Sequence, residues 1–183
     1  AAGSDWPYIA LPGDVRSYVF HQGPFTSQDW FDGLREGNTF VTNGPMLTLS
    51  VNDQPMGSTL QVDKSSDLHI RASANLNPTL DLLSALELVV GGEVVKRVSS
   101  AEGTDALSLE LVLEAEAGTW LAVRAYGFKR PPPFSAALEA RFANMLASGH
   151  FSFGSAAHSG PVYVHVDEYG SLVRAKARDA LVA

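Results

Sequence analysis

Short segments in which apolar and polar residues alternate fill the middle of the chain, and they restrict its fold more than any other feature. The alternation is clear in Met46–Val51, Asp67–Ala74 and Ala106–Leu113. Successive residues of a β-strand point to opposite faces, so a period of two indicates a strand with one buried face. About five or six such strands follow one another at the spacing that is typical of β-sandwiches. The pattern therefore predicts a mainly β protein.

Turn residues separate these strands and indicate how they connect. Gly91-Gly92 lies between Ala85–Val90 and Glu93–Val98, and two-residue glycine loops suit the turns that join antiparallel strands. Ala117-Gly118 precedes a further strand, Thr119–Tyr126. We therefore expect an antiparallel, Ig-like β-sandwich whose domain occupies residues 46–183.

The chain before this domain has a different pattern. Val15–His21 and Thr39–Thr42 are rich in β-branched and aromatic residues, which favour strands. Between them, Gln28–Glu36 has helical spacing, and Gly37-Asn38 can end that helix in a left-handed conformation. Residues 1–45 are therefore predicted to form a strand–helix–strand piece that suits the closing unit of an α/β barrel and cannot be a whole domain.

Two segments near the end of the chain predict helices. Phe134–Ser148 follows a proline-rich break and carries an apolar stripe at helical spacing. Leu172–Val182 is amphipathic, with apolar residues opposite Arg174, Lys176 and Arg178. We expect a helical insertion near 134–148 and a C-terminal helix that packs on the sandwich or on a partner chain.

Composition excludes several classes of function. The chain of 183 residues has a formal net charge of −7 and no cysteine. This charge disfavours nucleic acid and anionic membranes as partners, because both need basic surfaces. Without cysteine, neither a disulfide framework nor a thiolate metal site can form. No apolar run is long enough to cross a membrane. A soluble protein is expected, and the sequence leaves open whether its compartment is the cytoplasm or the periplasm.

The first residues, Ala1–Asp5, have neither the basic region nor the apolar core of a signal peptide. They are expected to continue from an upstream part of a larger protein.

Histidines and catalytic motifs give little sign of an active site. The five histidines are dispersed singly, at positions 21, 69, 150, 158 and 165. His69 and His165 are expected on solvated strand faces, and His21 in an exposed turn. The sequence contains no nucleophile elbow, phosphate-binding loop or zinc-binding helix motif. No strong set of metal ligands is predicted from the residues alone.

Four motifs, in the same order along the chain, carry a resemblance to a known family. Thr39–Pro45 reads TFVTNGP, within a longer pattern that runs from Trp30 to Leu60. Gly3–Asp5 reads GSD, Arg16–Val19 reads RSYV and His158–Val164 reads HSGPVYV. This combination resembles the segment that follows the catalytic core in CehA/McbA family metallohydrolases, which belong to the PHP superfamily.

The resemblance implies roles for four residues. Asp5 would be a metal ligand at the end of a late strand of a PHP-type α/β barrel, although Trp6 follows where the family often has a histidine. Arg16, Asn43 and His158 would contact the substrate or support the residues that do. The family more often reads HTSP or RTSP around His158, so that histidine also has a simpler interpretation, in which it satisfies backbone groups at the start of a strand.

The resemblance implies a hydrolase in which metal-activated water cleaves an ester, carbamate or phosphate-like bond of a small molecule. Zinc, manganese or iron would be the divalent cofactor of the intact protein. This chain would be its C-terminal region, with residues 1–45 as a remnant of the barrel. Because the upstream histidine pairs are missing, we expect the chain alone to be inactive and to hold no metal. Formation of a homo-oligomer stays open.

Two other interpretations come from different classes of protein. One is a stand-alone β-sandwich module that binds carbohydrate or a protein partner. For this module the sequence offers aromatic residues that we expect to be exposed, at Trp120, Tyr126, Phe151 and Phe153. The other is a purely structural or oligomerising domain.

Overall fold

The computed structural model describes residues 3, 13–21, 23–128 and 155–167. Strands dominate this part of the chain. In order, the elements are β1 (Arg16–Val19), α1 (Ser27–Glu36), β2 (Thr39–Thr42), β3 (Met46–Val51), β4 (Gln54–Pro55), β5 (Thr59–Asp63), β6 (Asp67–Asn75), β7 (Leu83–Val90), β8 (Glu93–Thr104), β9 (Ala106–Glu114), β10 (Thr119–Gly127), β11 (Ala156–Ser159) and β12 (Val162–Asp167). The helices predicted near 134–148 and at the C-terminus lie outside the described residues.

The strands form two sheets. The smaller sheet has the order β4-β3-β6-β9, and every pair in it is antiparallel. The larger sheet contains β1-β2-β11-β10, after which β10 pairs with β7 and β7 with β8. Its remaining strands, β12 and β5, join along the same edge of β10 that β11 occupies.

One core lies between the two sheets. The inward residues of β3 (Leu47, Leu49 and Val51) are buried, as their alternation predicted. They belong to the same apolar cluster as the fully buried Leu86 and Leu121 of the larger sheet. Burial of alternate residues on both inner faces is the property that defines a β-sandwich. The prediction of a mainly β protein with an Ig-like sandwich is confirmed.

Some details differ from the sequence prediction. The predicted hairpin with its Gly91-Gly92 turn is present, but β8 continues to Thr104 instead of ending at Val98. The sequence also predicts a strand over Gly160–Val166, which in the structure is β12 and begins at Val162, while a separate strand, β11, precedes it. Pro161 separates them because proline has no N–H to donate to a ladder. The pair β12–β5 is parallel, whereas the other strand pairs in the described part of the chain are antiparallel.

The predicted strand–helix–strand order is observed at the start of the described chain. A capping box begins α1, in which Thr26 and Asp29 satisfy each other's backbone N–H groups, and Gly37 ends the helix at φ 79°. The strand β1 is shorter than predicted and pairs antiparallel with β2, whereas successive strands of a βα barrel pair in parallel. In turn β2 pairs with β11, which joins this piece to the larger sheet. The domain boundary at residue 45 stays a prediction.

Three glycines mark a place where distant segments of backbone cross. The amide N–H of Gly160 donates to the carbonyl oxygen of Thr39 at 2.5 Å. A Cβ at Gly160 would overlap the carbonyl oxygen of Gly37, and a Cβ at Gly57 would lie 2.5 Å from the amide nitrogen of Asn38. Close approach of backbone to backbone therefore requires glycine here. In the described part of the chain, no helix is both long and apolar enough to cross a membrane.

Candidate functional site

A cleft of about 660 Å³, which we call the first cleft, opens beside the smaller sheet. One wall is aromatic. The rings of Tyr18 and Phe40 stack with their centroids 5.2 Å apart and an interplanar angle of 7°. Phe20, next along the chain from β1, also lines the cleft and is 45% exposed. Phe40 is buried in the core and Tyr18 is half-buried, so of these three rings Phe20 gives a ligand an exposed apolar face to pack against.

The other side of the first cleft is polar, because the outward residues of β3, β6 and β9 align across the smaller sheet. The strand register forms two neighbouring rows: Thr48, Ser73 and Ser108, then Ser50, Arg71 and Glu110. The hydroxyls of Thr48 and Ser73 are 2.7 Å apart. Arg71 Nη1 donates to Asp53 Oδ1 at 3.1 Å. Donors and acceptors thus line the same cleft as the aromatic residues.

A smaller cleft of about 330 Å³, the second cleft, lies on the outer face of the larger sheet. Its outward side chains come from β2, β11 and β10 and from the residues beside these strands. Ala156 is small and lies between Asn43 and Tyr126 in the strand register, while His158 pairs with Arg124 in the adjacent row. Side chains directly opposite one another on neighbouring strands lie about 5 Å apart at Cβ, so this cleft brings four polar side chains together.

A buried carboxylate orients Arg124. Glu87, on β7, has a side chain that is 6% exposed. Its two oxygens accept hydrogen bonds from Arg124 Nε at 2.6 Å and from Arg97 Nη1 at 2.8 Å. The hydrogen bond to Glu87 raises the pKa of Arg124 above its ordinary value. A carboxylate that is held by two guanidinium groups fixes both of them in orientation.

Tyr126 completes one side of the second cleft. The guanidinium carbon of Arg124 lies 5.8 Å from the centroid of its ring, within the range of a cation–π contact. Burial raises the pKa of the Tyr126 phenol, and the neighbouring Arg124 opposes that shift. The phenol therefore remains a neutral hydroxyl in the physiological pH range.

His158 is exposed and has a defined tautomer. Its Nδ1 lies 2.7 Å from the carbonyl oxygen of Ser159. A carbonyl oxygen only accepts hydrogen bonds, so Nδ1 carries the proton in this contact. In the neutral ring, Nε2 is then an acceptor that faces solvent or a ligand.

The structure brings together some of the residues that the resemblance singled out. Asn43 and His158 line the same cleft, and Asn43 Oδ1 accepts a hydrogen bond from the amide of Ala156 at 2.6 Å. Arg16 pairs with the inward Thr42, and its Nε donates to the carbonyl oxygen of Gly13, so it does not line this cleft. Asp5 lies outside the described residues. The roles of all four residues stay predictions.

The structure also bears on the predicted exposed aromatic residues and on possible metal ligands. Trp120 and Tyr126 are half-buried, so the expectation that they are exposed aromatics was wrong, while Phe151 and Phe153 lie outside the described residues. Within the described ranges, no group of three or more His, Asp and Glu side chains could hold a metal ion. Sequence reasoning missed Glu87 and Arg124 as site residues. Their outward positions in alternating strands were the available signal.

Comparisons with known proteins add little to this description. No family model matches the chain, and no curated protein sequence matches it. A solved structure of fibronectin(III)-like modules of CbhA from Clostridium thermocellum is similar, with 17% identity over 67% of this chain and 100% of that chain. Its TM-score is 0.36, so the similarity carries no argument. The fold and its clefts define a β-sandwich protein with two candidate ligand sites. The resemblance to the CehA/McbA family stays a prediction.

Proposed function

We propose that this chain is a ligand-binding β-sandwich module and that the first cleft binds carbohydrate. The observation that carries the proposal is the pairing of an aromatic wall with two rows of hydroxyl and charged side chains in one concave site. Sugars have apolar C–H faces and a rim of hydroxyls, so they need both kinds of surface. Phe20 supplies the exposed ring, and Arg71, Asp53 and Glu110 supply donors and acceptors.

The size of the first cleft also supports this class of ligand. Small-molecule sites in proteins commonly have volumes of about 300–1,000 Å³, and the first cleft falls within that range at about 660 Å³. A protein partner, the other ligand that the sequence left open, would contact exposed residues around the cleft as well as inside it.

Measurement of glycan binding tests this proposal. The experiment compares the unmodified protein with one variant of the aromatic residues and one variant of the polar rows. We expect an oligosaccharide from a panel of soluble glycans to bind in isothermal titration calorimetry. Phe20→Ala and Arg71→Ala should each weaken that binding about tenfold or more, because each removes a contact worth about 1.4 kcal/mol. The matched control is His69→Ala. His69 is exposed on the same face of β6 as Arg71 but does not line the cleft.

Binding that weakens equally in the His69→Ala control would place the ligand outside the first cleft and contradict the proposal. Failure of every glycan in the panel, with the fold intact by circular dichroism, would also contradict it and would favour a protein partner.

A second candidate function follows from the resemblance: a C-terminal region of a PHP-type metal-dependent hydrolase. The observation that favours it is that Asn43 and His158, distant in sequence, line one cleft. The described residues offer no ligand cluster that fits the divalent metal of such an enzyme, so we derive no catalytic step from them.

Metal content tests this second candidate. Elemental analysis of the purified chain for zinc, manganese and iron should find no stoichiometric metal, since the described residues offer no cluster of ligands. Stoichiometric metal that disappears in Asp5→Ala would contradict the expectation that this chain holds no metal, because it would show that Asp5 helps to form a site.

A further inference from the structure

We infer that the second cleft binds a small oxyanion that also carries a hydroxyl group, as hydrogen phosphate and the α-hydroxycarboxylates do. This site goes beyond the proposed carbohydrate site, because the second cleft shares no lining residue with the first. Three properties of the cleft support the inference: a fixed guanidinium, a local excess of positive charge, and a histidine nitrogen that accepts a hydrogen bond.

The guanidinium of Arg124 is held in place while part of it stays available. Glu87 accepts a hydrogen bond from Nε of Arg124, and the Arg124 side chain as a whole is 36% exposed. Among the described residues, no hydrogen bond is made by its two Nη groups. A planar fork with both Nη groups available matches the two oxygens of a carboxylate or phosphate. Because Glu87 fixes the orientation beforehand, less side-chain entropy is lost when the ligand binds.

The charge around the second cleft favours an anion. Glu87 has one negative charge, whereas Arg97 and Arg124 together have two positive charges, which leaves one positive charge in excess. No carboxylate appears among the described residues that line the cleft. An anion that binds Arg124 therefore meets no carboxylate among the described residues of the cleft wall.

His158 adds a requirement for a hydroxyl. It is the direct cross-strand neighbour of Arg124, so one small ligand can contact both side chains. Because Nδ1 donates to Ser159, Nε2 of the neutral ring accepts. An oxygen without a hydrogen has nothing to donate to Nε2, whereas a P–O–H or C–O–H group donates. The pair Arg124–His158 thus selects for negative charge and a hydroxyl in the same ligand.

Matched pairs of small anions test this inference. The histidine ring signals of the protein are followed by NMR in slightly alkaline buffer of constant ionic strength during titration with inorganic phosphate, sulfate, glycolate or acetate. Phosphate should shift the ring signals of His158 and should bind about tenfold more tightly than sulfate. Glycolate should bind more tightly than acetate by a similar factor. His165, exposed on β12 of the same sheet, is the internal control and should not respond.

Substitutions show which side chains cause these differences in affinity. His158→Ala should remove the preference for phosphate over sulfate and leave weak binding of both. Arg124→Lys should weaken the binding of all four anions, because the guanidinium fork is lost. His165→Ala should change nothing. The ratio of phosphate to glycolate affinity then tells whether the natural ligand group is a phosphate or a hydroxy acid.

Three results would overturn the inference: equal binding of sulfate and phosphate, the same perturbation at His165 as at His158, or no response to any of the four anions. The variant Phe20→Ala separates this inference from the proposed function. It alters the first cleft, and it should leave phosphate binding in the second cleft unchanged.

Discussion

Replacing Gly160 with alanine should lower the free energy of unfolding by about 2–3 kcal/mol, because the new methyl group overpacks a site that cannot relax. The neighbours are backbone atoms. A Cβ there would overlap the carbonyl oxygen of Gly37 and would come within 2.9 Å of that of Thr39. Moving either atom disturbs the junction of α1 with β2, and the 2.5 Å hydrogen bond from Gly160 to Thr39 is strained at the same time.

Denaturant unfolding followed by circular dichroism measures this effect, and Gly118→Ala is the matched control. A Cβ at Gly118 would lie 3.5 Å from the carbonyl oxygen of Val164, an ordinary contact, so its cost should be much smaller. Equal midpoints for the two variants would show that the backbone crossing at Gly160 is not tightly packed.

The same experiment bears on the predicted domain boundary at residue 45. If β1, α1 and β2 unfold together with the sandwich, Gly160→Ala should shift a single transition. If the first piece were a separate unit, an early transition would appear on its own, and the main transition would keep its midpoint.

The second large effect is expected from the double substitution Arg97→Gln and Arg124→Gln, which should cost about 3–5 kcal/mol of stability. It leaves the carboxylate of Glu87 buried without a charged partner. Each single substitution should cost only about 1 kcal/mol, because the remaining arginine still donates to Glu87. The effects should therefore be far from additive, as expected for side chains that share a partner.

Adding Glu87→Gln to the double variant tests the physical reason. The triple variant has no buried charge left to compensate, so much of the lost stability should return. Arg35→Gln is the control for loss of an arginine. Its partner Asp32 is 47% exposed, and the expected cost is at most about 1 kcal/mol. A triple variant no more stable than the double would mean that packing of the arginine side chains, and not charge, stabilises this region.

Much of the local structure could be predicted from the sequence because it depends on neighbouring residues. The alternation in Met46–Val51 fixes which side chains face the core, since a strand turns each successive residue to the opposite face. The glycine pair Gly91-Gly92 determined the hairpin between β7 and β8 for the same local reason. Gly37 ended the predicted helix because its left-handed conformation suits glycine.

The candidate sites could be predicted only in part. The resemblance pointed to Asn43 and His158, but nothing in the sequence showed that they share a cleft with Arg124. That depends on β11 pairing with both β2 and β10. The hydrogen bond between Asn43 and Ala156 joins residues 113 positions apart. Pairings over such distances depend on the whole sheet order, which no local pattern encodes.

The sequence by itself determined that this protein is a β-sandwich, which strand faces are buried and where its turns lie, because periodicity and turn chemistry act over a few residues. Only the tertiary structure decided that Glu87 joins Arg97 and Arg124, that aromatic residues of β1 and β2 line one cleft with the polar rows of the smaller sheet, and that glycine is required at the crossing of Gly37 and Gly160. Each of these features is a contact between strands that are far apart in the chain, and the order of strands in the sheets sets which residues meet.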